Sequence, residues 1–308
     1  MVDWYRDNKL LKQPGYSTTL LGDNAVTLIE QHDTSKPLYL YLTFNAPHSP
    51  YQAPKEYLDK YANITDPSRR AYAASITARD DQIGRVVQTL EKKGIRNNTI
   101  IFFQSDNGGT GNKMLAGERA ANVIPCDNGP YREGKGTLYE GGTRVIALVN
   151  WPGHVRAGAT ADGMIHVVDM YTTIAGLAGA STEKSKKPLE GIDMWATLSE
   201  GAPSPRTELI YNIEPFCAGV REGDWKLIWR TPLPTVVELY NIPQDPSEKN
   251  NLAAQKPKKV AELQKRANEL AAVAAKPLFL ETEFTAMLQR IAAPAAFPGE
   301  EFELNEEQ

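Results

Sequence analysis

Two short apolar runs, each breaking into a polar loop and separated by one helix-length stretch, constrain this chain more than any other feature. From Leu38 to Phe44 the sequence reads Leu-Tyr-Leu-Tyr-Leu-Thr-Phe, a β-favouring run suited to a buried strand. It stops at Asn45-Ala46-Pro47-His48-Ser49-Pro50, where two prolines forbid continuation. Arg69 to Lys93 carries Ala73, Ile76, Ile83, Val86, Val87 and Leu90 at helical spacing, and Gly94 supplies a C-terminal stop. Thr99 to Phe103 reads as a second buried strand running into Ser105-Asp106-Asn107-Gly108-Gly109. A third, Arg144 to Val149, ends at Trp151-Pro152-Gly153, and a helix from about Val167 to Leu177 follows.

Strand, helix, strand, long loop, strand and helix predict an α/β fold with a mostly parallel sheet flanked by helices. In such sheets ligands bind beyond the carboxyl ends of the strands, and His48 and Asp106-Asn107 stand just past two of those ends. After about Glu200 the pattern changes to short strand-like runs, Glu208 to Ile213, Trp225 to Trp229 and Val236 to Tyr240. Charged, alanine-rich helical sequence follows from Lys256 to Ala275. The expected division is therefore residues 1–200, part of an α/β catalytic domain, and 201–308, a smaller α+β subdomain with antiparallel strands and a helix. The acidic tail, Phe297 to Gln308, is expected to be loose.

With 308 residues, 41% hydrophobic and 23% charged, the chain has the composition of an ordinary globular protein able to bury a core. A net charge of -4 gives no general attraction to nucleic acid or anionic membrane. Lys184, Lys186 and Lys187 form only a short solvated cluster. No apolar run is long enough to span a bilayer, and Met1-Val2-Asp3-Trp4-Tyr5-Arg6 lacks the basic-then-apolar pattern of a signal. Cys126 and Cys217 make neither a disulfide framework nor a zinc spacing, and leave pairing open. Asn63-Ile64-Thr65 and Asn97-Asn98-Thr99 match the glycosylation triplet without fixing a compartment.

A carboxylate and an amide oxygen side by side, as at Asp106 and Asn107, can face one hard cation, Ca²⁺ before Mg²⁺. Asp-Asn-Gly-Gly is equally a good turn sequence. Cys126-Asp127-Asn128-Gly129 repeats that triplet with no buried strand before it, and reads as a plain turn. From Tyr131 to Arg144, Arg132 and Lys135 stand among glycines, where positive charge can approach an anion with little crowding. Lys135 can stabilise charge on a leaving oxygen; the bland reading is a surface loop leading into a strand. His48, near an anion, can stay protonated and act as general acid, or can be a structural loop residue. His166 precedes an apolar helix and orients or caps it locally, whereas His32 and His154 have no evident partner.

Taken in order and spacing, these segments resemble the type I sulfatases of the alkaline-phosphatase superfamily, and most closely the arylsulfatase B (N-acetylgalactosamine-4-sulfatase) branch. The residues that carry the resemblance are Asn45 to Pro50, Ser105 to Gly109, Arg132-Glu133-Gly134-Lys135, Glu140-Gly141-Gly142 and Arg144. His166 to Tyr171, Gly191 to Trp195, Gly223 to Leu227 and Glu238 to Asn241 extend it over roughly Lys36 to Leu252. The resemblance implies that Asp106 and Asn107 are calcium ligands. It implies that Lys135 and His48 contact the sulfate near the leaving oxygen, His48 as proton donor, with Arg132 close by. It also implies a sulfate ester of a carbohydrate or small aryl molecule as substrate, and a periplasmic, secreted or lysosomal setting.

The family's nucleophile is a hydrated formylglycine made from cysteine in a Cys-x-Pro-x-Arg type motif ahead of the histidine loop. No cysteine precedes His48 here. Cys126-Asp127-Asn128-Gly129-Pro130 fails the motif, and Cys217-Ala218-Gly219-Val220-Arg221 has only its ends. The first Asp-Asp metal pair and the upstream Lys and His of the family are absent as well. The expectation is an N-terminally truncated or split sulfatase, inactive alone, whose sheet lacks middle strands and so exposes apolar faces and edges. A phosphodiesterase or phosphonate hydrolase of the same superfamily, and a non-catalytic module binding sulfated glycans, are the alternatives.

Overall fold

The computed structural model describes residues 4–110, 124–181, 187–214, 217–230 and 236–274; Lys184, Lys186 and the tail Phe297 to Gln308 lie outside them. The chain opens with a small antiparallel hairpin, β1 (Tyr5–Arg6) and β2 (Lys9–Leu10), turned by Asp7 and Asn8 at φ 48° and 63°. Positive φ at both central positions matches the right-handed twist of a two-residue hairpin. Helix α1 (Ser17–Gln31) then packs along α3 (Pro67–Lys92), with the short α2 (Lys55–Asp59) between them in sequence. The two long helices cross closely because Gly22 has no side chain: a Cβ there would stand 2.9 Å from Gln82 Cβ. Beside that crossing Arg85 Nη1 donates to Asp23 Oδ1 at 2.6 Å. Both ends of α3 follow from local sequence. Asp66 accepts from the Arg69 N–H at 2.7 Å, Pro67 occupies the first turn, and Gly94 at φ 74° ends the helix. Ile95 N–H then closes on Leu90 C=O at 3.1 Å, tying off the last turn.

Strands β3 (Ile101–Gln104) and β4 (Ala147–Asn150) form a two-stranded sheet with Ile101 opposite Asn150. Their pairing is antiparallel, which corrects the parallel neighbour expected from the strand and helix order. The segments that leave β3 and enter β4 meet at one end of the sheet, where Ser105 N–H donates to Ile146 C=O and Gly108 N–H to Gly142 C=O, both at 3.0 Å. Leu38 to Phe44 is a second correction: it has no strand partner among the described residues. Tyr39 and Tyr41 are 72% and 79% exposed there, and Ile146 just before β4 and Leu148 within it are 69% and 62% exposed. β propensity is a local property, whereas burial of a strand needs a neighbour on each edge.

A one-turn helix, α4 (Glu140–Thr143), precedes β4, and α5 (Asp169–Leu177) and α6 (Trp195–Glu200) follow it. The Gly191 to Trp195 segment docks on α5, where Met194 N–H donates to Thr173 Oγ1 at 2.9 Å. Next comes a four-stranded antiparallel sheet in sequential order: β5 (Glu208–Glu214), β6 (Cys217–Glu222), β7 (Trp225–Arg230) and β8 (Val236–Asn241). Strand β6 escapes sequence reading because Ala218 and Gly219 give it almost no apolar alternation. One face of this sheet packs Leu227 and Leu239 against Leu263 of α7 (Pro257–Val273). The other packs Ile228, Tyr240 and the adjoining Ile242 against Tyr139, just ahead of α4. The C-terminal sheet therefore shares a core with the loop that carries the candidate site. Neither Cys126 nor Cys217 is in a disulfide.

Asp169, fully buried at the start of α5, ties the middle of the chain together. It accepts from Arg206 Nε at 2.9 Å and from Arg206 Nη2, and from the backbone N–H groups of His166 at 2.7 Å and Ile192 at 2.9 Å. Burial pushes its carboxyl up, but Arg206 and the two amides outweigh burial and hold it below the ordinary range. Asp169→Ala, which leaves Arg206 without its carboxylate, is expected to lower stability by about 3–5 kcal/mol in urea unfolding. A lowered folded pKa means that this contribution is present above the unfolded value near 3.8 and is lost as pH falls through the folded value. Asp169→Asn should therefore flatten that part of the acid-unfolding curve.

Candidate active site

The site is built from three loops that meet with almost no side chains between them. The first leaves β3. Ser105 N–H donates to Ile146 C=O at 3.0 Å, and its Oγ donates to Asn107 C=O at 2.8 Å. Asp106 Oδ1 accepts from Asn107 N–H at 3.0 Å, and Asn107 Nδ2 donates to Gly108 C=O at 2.9 Å. These contacts leave Asp106 Oδ2 and Asn107 Oδ1 uncommitted among the described residues. Gly108 N–H then donates to Gly142 C=O at 3.0 Å, and a Cβ at Gly108 would stand 1.8 Å from Gly141 O. Only glycine fits there.

The second loop is the Cys126 to Gly129 turn. Gly129 at φ 63° donates to Asp127 Oδ1 at 2.9 Å, as the plain-turn reading requires. Asn128 does more, and sequence reading missed it. Its Oδ1 accepts from Gly109 N–H at 2.8 Å, while Nδ2 donates to Gly109 C=O at 2.9 Å and to Glu133 C=O at 2.8 Å. Cys126 Sγ donates to Thr110 C=O at 2.9 Å, and burial pushes this thiol up.

The third loop runs from Arg132 to α4. Lys135 N–H donates to Gly109 C=O at 2.9 Å, which seats Lys135 against the segment that follows Asn107. Lys135 is half-buried, and its Nζ has no hydrogen-bond partner among the described residues. Gly141 N–H donates to Arg132 C=O at 2.9 Å. A Cβ at Gly141 would meet Arg132 O and Glu133 O at 2.3 Å, and one at Gly142 would meet Gly134 O and Thr137 O at 2.5 Å. Arg132 Nη1 donates to Tyr240 Oη at 2.9 Å and to Glu248 C=O at 3.2 Å, lies 3.5 Å from Glu238 Oε1, and its guanidinium sits 3.9 Å from the Tyr139 ring centre. The C-terminal sheet and its flank thus hold the Arg132 guanidinium, a set of contacts that the sequence pattern alone does not suggest.

His48 is exposed in the loop after the unpaired apolar run, between the cis Ala46–Pro47 and Ser49–Pro50 bonds. Its Nδ1 lies 2.7 Å from Ser49 C=O, an acceptor only, so Nδ1 carries the proton in this contact. Arg79 of α3 links this loop to β3: its Nη1 donates to Ala46 C=O at 3.4 Å and its guanidinium lies 5.4 Å from the Phe103 ring centre. No hydrogen bond joins His48 to Asp106, Asn107 or Lys135 among the described residues. The remaining histidines have structural partners. His32 Nε2 meets Lys36 C=O at 3.0 Å, His154 stacks on Trp151 at 4.0 Å, and His166 Nδ1 accepts from Val168 N–H at 3.2 Å.

Asp106 and Asn107 offer oxygen donors suited to a hard cation, but only two of the roughly 6–8 that Ca²⁺ takes. Among the described residues no group of three or more His, Cys, Asp or Glu side chains could hold a metal ion. The donor chemistry fits and the donor number falls short.

The sulfatase family model matches residues 1–180 of this chain. The chain belongs to the sulfatase family. A second family model, N-sulphoglucosamine sulphohydrolase, C-terminal, matches residues 133–275. This sulfatase chain is 34% identical to arylsulfatase J of Mus musculus over 241 residues, 77% of the chain and 38% of the relative. It is 31% identical to N-acetylgalactosamine-6-sulfatase of Mus musculus over 210 residues, again 38% of the relative. The solved structure of Ps i-CgsB in complex with k-i-k-neocarrahexaose superposes with a TM-score of 0.73 at 31% identity, covering 85% of this chain and 57% of that one. The sulfatase chain thus has the α/β fold of the alkaline-phosphatase-like sulfatases and spans about two fifths of the length of these curated relatives.

Asn128→Ala would leave the half-buried Gly109 N–H without its acceptor, a loss of about 1–3 kcal/mol in urea unfolding. Amide exchange at Gly109 should speed up with it; an unchanged exchange rate there would show that Asn128 does not hold the loop.

Proposed function

We propose that this chain carries the cation and leaving-group side of a sulfate-ester hydrolase site, active when another polypeptide segment supplies the nucleophile. The observation that supports the reading is the backbone bond from Lys135 to Gly109, which brings Lys135, with no ion pair among the described residues, next to the Asp106-Asn107 loop. Asp106 Oδ2 and Asn107 Oδ1 would hold Ca²⁺ in preference to Mg²⁺, which demands a stricter octahedron. The cation, when bound, supplies positive charge to the sulfate oxygens. Lys135 Nζ would bind the ester and stabilise charge growing on the leaving oxygen. His48, with Nδ1–H held by Ser49, would present a protonated Nε2 to the leaving alcohol.

The nucleophile such chemistry needs is a hydrated formylglycine. Cys126 is an unsuitable source, since its thiol is bonded to Thr110 and its pKa is raised by burial; Cys217 begins strand β6. Exposure of Tyr39, Tyr41, Ile146 and Leu148 supports a sheet that another segment completes. The substrate class is a sulfate ester of a carbohydrate or a small aryl alcohol, in keeping with the names of arylsulfatase J and of the structure holding k-i-k-neocarrahexaose. One observation favours a second reading, a sulfated-glycan binding module without turnover: among the described residues the ligands for a cation are too few.

The test is hydrolysis of 4-methylumbelliferyl sulfate by the chain alone and with a formylglycine-bearing segment that also carries an Asp-Asp pair. The chain alone should show no turnover, and rapid turnover by it would sink the proposal. The completed enzyme should lose activity to a calcium chelator and fall about 10²–10³-fold in kcat on Lys135→Ala. His48→Ala should cost about 10²–10⁴-fold on a carbohydrate sulfate, and less on an aryl sulfate, whose phenolate leaves without protonation. Glycan binding lost on Lys135→Ala, with no turnover in the completed protein, would establish the binding reading instead.

A further inference from the structure

Outside the site, one group of ionisable side chains has no assigned role: a dry cluster where α4 meets the C-terminal sheet. Lys226 of β7 has no exposed side-chain surface. Its Nζ lies 2.8 Å from Glu140 Oε1 and 3.1 Å from Glu248 Oε1, and 4.4 Å over the Tyr211 ring. Glu248 Oε2 accepts the backbone N–H of Glu140 at 2.5 Å. Arg144, half exposed, reaches Glu140 Oε2 only at 3.8 Å. Two carboxylates thus share one buried ammonium. Burial pushes the Glu248 carboxyl up despite the neighbouring Lys226, so the cluster is held at an electrostatic cost.

Buried ion groups of this kind are poor sources of net stability, since apolar replacements of equal volume do as well or better. Their better-attested use is to enforce one registry of the parts they join. The parts here are specific. Glu140 opens α4, whose next two residues hold both site loops: Gly142 C=O accepts from Gly108 N–H, and Gly141 N–H donates to Arg132 C=O. Glu248, at φ 51°, follows β8 in the chain, and Lys226 stands in β7. The carboxylate and the backbone amide of Glu140 are therefore both gripped by the C-terminal sheet and its flank.

We propose that Lys226, Glu140 and Glu248 are positioning residues: they lock α4 in register against the C-terminal sheet and so set the separation of the Asp106-Asn107 loop from Lys135. This rests on the reading that those loops form the site, yet the lock can be observed without any turnover. Amide hydrogen exchange on the whole chain reads it. Lys226→Met keeps the stem and removes the ammonium. Exchange at Gly108, Lys135 and Gly141 should rise about tenfold or more, while Val220, Leu227 and Leu239 in the sheet stay within about twofold. A purely structural role predicts instead equal acceleration in sheet and loops, and that result, or no change at the three loop amides, overturns the proposal. Should Lys226→Met not fold, Glu140→Gln, which keeps size and one acceptor oxygen, is read at the same amides with the same two overturning results. Absence of turnover in a completed enzyme counts against the function proposed above and leaves this exchange pattern unaffected.

Discussion

The site depends on backbone packed against backbone. Four carbonyl oxygens, from Arg132, Glu133, Gly134 and Thr137, lie 2.3–2.5 Å from where Cβ atoms at Gly141 and Gly142 would stand, and Gly108 leaves even less room. Such contact is open only to glycine, and it lets three irregular loops satisfy one another's peptide groups directly. Rigidity comes from hydrogen-bonded main chain and not from the side chains of Asp106, Asn107 and Lys135.

Charge is distributed around that backbone cluster in two ways. On the side of the C-terminal sheet Arg132 is met by Tyr240 and Glu238, and Lys226 by Glu140 and Glu248. Tyr139 belongs to this group. Burial, with the hydrogen bond it donates to Glu238, pushes its phenol up to about 12, so it stays a neutral donor at ordinary pH. On the other side Lys135, three residues from Arg132, has no acidic partner among the described residues. Two cations of one loop thus differ: Arg132 joins the loop to the sheet, whereas Lys135 has no such side-chain contact among the described residues.

Apolar side chains are distributed less evenly than in a closed sheet. Tyr39, Tyr41, Ile146 and Leu148 are exposed on and beside extended segments, and the β3–β4 pair has only two strands. Two strands are marginal by themselves. Their exposure on the sheet is matched by the small number of oxygen ligands that the described residues bring to Asp106 and Asn107.

Much of the chain was legible locally. The span of α3, its Asp66 and Gly94 ends, α5, α7 and three strands of the C-terminal sheet follow from apolar period and capping chemistry acting within a few residues. The ordered motifs around His48, Asp106-Asn107 and Lys135 were equally legible, and they carry the family. Other features were not, among them the antiparallel pairing of β3 with β4, the clamp made by Asn128, and the different contacts of Arg132 and Lys135. Each is decided by a partner far along the chain. Lys226 meets Glu140 across 86 residues and Arg132 meets Tyr240 across 108. By itself the sequence determined which residues favour helix, strand or turn and which chemical groups the chain possesses. Only the tertiary structure decided which charges are neutralised and which remain free, because that depends on distances between segments that no local preference encodes.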